Sequence, residues 1–197
     1  HEVARALVAH GANVHAREAR RCQMALHWAA ARGNAAVVTM LLEAGADVNA
    51  KTPRVIHKHS NEEDDFSKPA KVGGQTGWDW EGPEASAFSA LTFAVREGER
   101  QMVQVLLDAG ANVNDALSDG TSALCLAIEN HHYDLAAYLL DRGADPNSNG
   151  QGWTALHQVI RGRRANTRGF SAPVPTGHLA AIELIEKLLA KGAHINA

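Results

Sequence analysis

Apolar pairs recur along the chain in a fixed relation to glycine. Leu7-Val8, Leu41-Leu42, Leu106-Leu107, Leu139-Leu140 and Leu188-Leu189 begin four residues ahead of Gly11, Gly45, Gly110, Gly143 and Gly192. A second apolar pair lies one helical turn earlier, as in Val37-Val38, Met102-Val103 and Leu184-Ile185. Steps of three and four residues place these side chains on one face of a helix. The glycine supplies the left-handed conformation that ends such a helix. Upstream lies a shorter apolar run: "MALHWAA" from Met24, "SALTFAV" from Ser89, "SALCLAI" from Ser122 and "TALHQVI" from Thr154. These runs predict short first helices, from the alanine to about Arg32, Glu97, Asn130 and Arg161. A second helix is expected at the start of the chain, over Glu2 to Ala9.

The two elements form a unit that repeats. Ser89 and Ser122 are 33 residues apart, and the unit closes on "GADVN" at Gly45–Asn49, "GANVN" at Gly110–Asn114 and "GADPN" at Gly143–Asn147. Looser closings are "GANVH" at Gly11–His15 and "GAHIN" at Gly192–Asn196. A unit of this length, with a Thr-Pro-Leu-His-like first helix start and a Gly-Ala-Asp-Val-Asn ending, resembles the ankyrin repeat. The resemblance implies an all-α repeat, a solenoid of helix-turn-helix pairs with hairpin-like fingers. It predicts about four full repeats and a partial N-terminal one, at 1–17, 18–50, 85–115, 116–148 and 149–197. One pair cannot bury its apolar stripe alone, so neighbouring pairs must stack.

Some positions depart from that pattern. The Thr and His of the first helix start survive together only at Thr154 and His157; the earlier repeats carry Met24 with His27, Ser89 with Thr92 and Ser122 with Cys125. The hydrogen bonding there is expected to be weakest in the early repeats. His131 replaces the glycine found at Gly33 and Gly98, and it reads as a turn residue of positive φ. No polar capping repeat is evident, so further repeats or another domain are expected to flank the array, and uncapped ends make self-association a possibility.

Two insertions interrupt the repeat, at 51–84 and 162–178. The first holds His57 and His59, the acids Glu62–Asp65, and Trp78 and Trp80. A lone His-x-His beside an acidic run is a poor metal site, and the reading preferred is a solvated or partner-ordered arm with its tryptophan end anchored. The basic stretch of Arg161, Arg163, Arg164 and Arg168 leaves three readings open: a solvated loop, a contact for an anion or acidic partner, or a clasp onto the first insertion. The inserts leave from opposite edges of the array, which weighs against the clasp.

The composition of the 197 residues is ordinary for a globular protein, 45% hydrophobic and 21% charged. A net charge of −3 gives no general attraction for nucleic acid or an anionic membrane surface. Two cysteines, Cys22 and Cys125, exclude a disulfide-rich scaffold. No apolar run is long enough to span a bilayer. No phosphate loop, nucleophile elbow or zinc-protease motif is present, and no cofactor, metal or catalytic residue is assigned.

Binding is what remains. The resemblance implies contact residues just ahead of the first helix start, at Gln23, Thr121 and Trp153. It implies others just ahead of the inter-helix turn, at Arg32, Arg96, Glu97, Glu129, Asn130 and Arg161. Trp153 stands out, because tryptophan and arginine dominate binding hot spots; alternatively it covers the hairpin. The expected function is a protein-interaction module or scaffold, with a regulatory array of a larger multidomain enzyme as the alternative. Partner identity and compartment stay open at this level.

Overall fold

The computed structural model describes residues 2–18, 22–52, 87–162 and 178–195. Most of both insertions lies outside these residues, including His57, His59, Glu62–Asp65, Trp78, Trp80, Arg163, Arg164 and Arg168. Among the described residues the helices are α1 (Glu2–Ala9), α2 (Ala25–Ala31), α3 (Ala35–Glu43), α4 (Ala90–Glu97), α5 (Arg100–Asp108), α6 (Ala123–Glu129), α7 (Tyr133–Asp141), α8 (Ala155–Gly162) and α9 (Ala181–Ala190). A 3-10 turn covers Gly150–Gly152. No strand forms among these residues; isolated antiparallel bridges join Arg17 to Met24, Lys51 to Ser89 and Ala116 to Ser122.

The local chemistry explains where the helices begin and end. Ser89 and Ser122 cap α4 and α6 by accepting from the amides of Thr92 and Cys125, both at 3.2 Å. Asn34 caps α3 in the same way through the Val37 amide. Gly98 ends α4 at φ +75°. His131 makes the corresponding turn at φ +61°, as the sequence predicts, and Cys22 is a second non-glycine residue at positive φ, +51°.

The helices stack in two rows. First helices α2, α4, α6 and α8 pack on one another in order, and each touches the second helix of its own repeat. The first helices approach more closely than the second ones do. Ala30, Ala94 and Ala127, fully buried at these contacts, leave room for that approach. The array therefore curves toward its first helices. Leu26, Leu91, Leu106, Leu124, Leu139, Leu184 and Leu188 form one continuous core along the stack. Each contributes roughly 1.5–3 kcal/mol relative to exposure.

Asparagines couple the ends of successive repeats. Asn49 donates to the Gly110 carbonyl and accepts from the Asn112 amide, at 3.2 and 3.0 Å. Asn147 does the same to Gly192 and His194. Early repeats also hold their helix starts better than the departures above suggest. His27 accepts from the Met24 amide at 3.0 Å and donates to the Ala50 carbonyl at 2.9 Å. A single imidazole bridges the turn, so Met24 needs no capping side chain.

Candidate protein-interaction surface

The contact positions lie on the first-helix side of the array, where the curvature turns inward. At the start of that surface Gln23 is half-buried, and Arg32 is exposed just past the end of α2. One helical turn before Arg32 stands Trp28, with 42% of its surface exposed. A separation of four residues puts the indole and the guanidinium on the same helix face.

The next repeat is paved over. Arg96 donates to Glu97 at 3.0 Å, which neutralises its charge locally. Its guanidinium lies 5.1 Å from the centroid of Phe88 and 5.2 Å from that of Phe93. Those two rings stack at 4.8 Å. Phe93 is thereby left with 5% of its surface exposed.

In the third repeat Glu129 and Asn130 are exposed, and Asn130 folds its amide back onto the Leu126 carbonyl at 2.8 Å. Thr121 sits differently: it is buried, its amide donating to Asp119 Oδ1 at 2.8 Å, so it presents little surface. In the fourth repeat Trp153 is 42% exposed. Its ring meets His157 edge-on at 5.9 Å and carries the Arg161 guanidinium at 5.4 Å. A cation over an indole is held by the ring quadrupole, which keeps both groups at the surface and in register.

The structure thus brings Trp153, His157 and Arg161 into one cluster and Arg96, Glu97, Phe88 and Phe93 into another. Phe88 was missed by sequence reasoning. Phe88 shares the register of Gln23, Thr121 and Trp153, so the signal was present. Trp28 shares the register of Phe93, whose ring meets His27 of the preceding repeat at 5.9 Å, and no first helix stands ahead of α2 among the described residues to cover the indole in the same way.

Electrostatics follow the same division. No carboxylate among the described residues pairs with Arg32 or Arg161. His27, just beneath the surface, is held below its ordinary pKa, first by burial; its hydrogen bond to Ala50 opposes this, and the Arg17 charge adds to it. Among the described residues no group of three or more His, Cys, Asp or Glu side chains could hold a metal ion. Both cysteines are free thiols, and no helix among the described residues is long and apolar enough to cross a membrane.

Comparison with known proteins agrees with this architecture. A family model for ankyrin repeats in three copies matches residues 91–168, and a single ankyrin repeat model matches residues 23–53. A putative ankyrin repeat protein of fowlpox virus is 32% identical over 55% of the chain. A putative ankyrin repeat-containing protein of Treponema pallidum is 42% identical over 30%, and the mouse ankyrin repeat and SOCS box protein 14 is 33% identical over 62%. The chain spans 28%, 20% and 16% of the lengths of these three relatives. Paired helices stacked in two rows, fingers joined by asparagines and family models over both halves of the described structure lead to one conclusion: the chain belongs to the ankyrin repeat family.

Proposed function

We propose that this chain, as ankyrin repeats generally do, serves as a non-catalytic protein-protein interaction module, which grips a protein partner with its fingers and the exposed faces of its first helices. The observation that carries the reading is the Trp153–Arg161 pair, an exposed indole under a guanidinium at 5.4 Å. Both residue types are favoured as hot spots, and here each holds the other in place without using up its outward face. Gln23, Arg32, Arg96, Glu97, Glu129 and Asn130 extend the contact along neighbouring repeats, with Thr121 a minor, mostly covered member.

The test is affinity capture from the source cells with the chain and its Trp153→Ala variant, whose folding is checked by circular dichroism. Loss of at least tenfold in captured partner is expected. Undiminished capture by a folded variant would remove Trp153 from the surface.

A second reading, self-association, is favoured by the exposure of Val3 and Leu7 on α1 and of Ile182 and Leu189 on α9. Light scattering across a concentration series separates the two, since a monomer at all concentrations excludes self-association. The small share of each relative that the chain spans favours a role as one part of a larger protein. The parent gene sequence decides that point.

A further inference from the structure

We propose that the turn between α6 and α7 is a clamp for the insertion of the last repeat. His131, Tyr133 and Asp134 hold the two ends of that insertion, and through them the start of α9. The last helix thus keeps its place in the stack by a bridge from the preceding repeat, and it can leave the stack without unfolding the rest of the array.

A difference in chain length makes such a bridge necessary. Residues 32–34 join α2 to α3, residues 98–99 join α4 to α5, and residues 130–132 join α6 to α7. Between α8 and α9 lie residues 163–180, a stretch of eighteen. The ends of a longer connection meet less often, roughly 15-fold less for eighteen residues than for three. Even so, α9 docks fully: Leu184 and Leu188 have no exposed surface, and the helix packs on both α7 and α8.

Both ends of this stretch are held by the third repeat. At the return, the Asp134 carboxylate accepts from the amides of His178 and Leu179, at 2.8 and 3.1 Å. The next amide, that of Ala180, donates to Glu183 at 3.1 Å. Ala180 brings no side-chain cap to α9, so these carboxylates take the place of one, and negative charge suits a helix N-terminus. At the departure, a methyl group on Gly162 would lie 3.2 Å from the His131 ring and 3.7 Å from the Tyr133 hydroxyl, so the end of α8 rests on both. Those two side chains are joined by a hydrogen bond of 3.1 Å.

The residues concerned occur together only in this turn. His131-His132-Tyr133-Asp134 stands where the two earlier repeats have Gly33-Asn34-Ala35-Ala36 and Gly98-Glu99-Arg100-Gln101. Neither of those turns is followed by a repeat with an insertion between its helices. Histidine at φ +61° carries a backbone strain that glycine would avoid. A turn alone gives no reason to accept that strain, whereas a ring that meets Gly162 and bonds to Tyr133 does.

Hydrogen-deuterium exchange of the intact chain, read by mass spectrometry, tests the clamp. Asp134→Ala should speed exchange across α9 about tenfold or more, the worth of the amide-to-carboxylate bonds it removes, and leave α3 and α5 as they were. Asp134→Asn, which keeps one acceptor oxygen, should fall between. His131→Gly separates a clamp from a plain turn: relief of strain alone would slow exchange, whereas loss of the clamp speeds it in α9. In a shortened chain, with residues 163–180 replaced by a Gly-Glu turn copied from Gly98-Glu99, Asp134→Ala should change α9 by less than about threefold. Circular dichroism confirms that each variant folds, and the intact-chain variants decide the matter if the shortened chain does not. Exchange in α9 that Asp134→Ala leaves unchanged, or that His131→Gly fails to speed, would overturn the proposal, and so would equal acceleration of every helix. An undiminished effect of Asp134→Ala in a folded shortened chain would overturn it as well.

Discussion

His27 has 1% of its surface exposed, and both of its ring nitrogens are engaged. The Met24 amide donates to Nδ1, so the proton sits on Nε2 and is donated to Ala50. Protonation would place a second N–H against the Met24 amide. The folded state therefore favours the neutral ring, in accord with a pKa below the ordinary value. The sign follows from proton binding: between the folded pKa and ~6.5 the unfolded chain holds more protons, so stability is full above ~6.5 and falls as the solution is acidified below it. Urea unfolding at pH 7.5 and pH 5 should show this loss, and His27→Gln should reduce it. Gly98 supports a second prediction at this scale. A methyl group there would lie 2.7 Å from the His132 ring, whose Nε2 bonds to the Arg96 carbonyl, whereas at Gly45 it would meet nothing within 4 Å. Both glycines have positive φ, so alanine costs ~1 kcal/mol at either. Gly98→Ala should cost about 1 kcal/mol more, the worth of the displaced hydrogen bond, in a chemical denaturation series.

Among the elements, the helices were legible where periodicity and stop residue agree. Glu2–Ala9, Ala90–Glu97 and Ala155–Gly162 lie where the apolar spacing puts them, because a short amphipathic helix has few other ways to bury its stripe. The turn at His131 was legible by its register. The positive φ of Cys22 was not, since no repeated position marks it. The exposure of Trp28 and the cover over Phe93 depend on what the neighbouring repeat supplies, and a motif in one repeat does not encode that. The fingers carry a contact that escaped the sequence for the same reason. Lys51 reaches Asp115 Oδ1 at 2.6 Å and the Ala116 carbonyl at 2.7 Å, across 64 positions of chain. Asp115 is buried, and its Oδ2 has no hydrogen-bond partner among the described residues. Lys51→Met would strand that carboxylate and should cost about 1–2 kcal/mol, moderated because Lys51 is partly in water. Asp115→Asn combined with Lys51→Met should recover part of the loss, as a double-mutant cycle would show.

At the scale of the whole molecule, function follows from how the two rows of helices differ. The first helices pack closely through small residues and turn their remaining side chains inward; the second helices form the outer surface. A linear stack has no enclosed centre in which groups from distant parts of the chain converge, but it offers a long face whose residues change from one repeat to the next. The general form of that face was readable from the sequence, because each contact position has a fixed place in the repeat. Which positions stay open was not readable, as buried Thr121 illustrates.

The central claim is that partners are held on the inward face, and hydrogen-deuterium exchange of the chain with and without its captured partner tests it most directly. Added protection should fall on Gln23, on the C-terminal turns of α2, α4 and α8, and around Trp153, with the outer helices α3, α5 and α7 unchanged. Protection concentrated on those outer helices, with the inward face exchanging as it does in the free chain, would contradict the account.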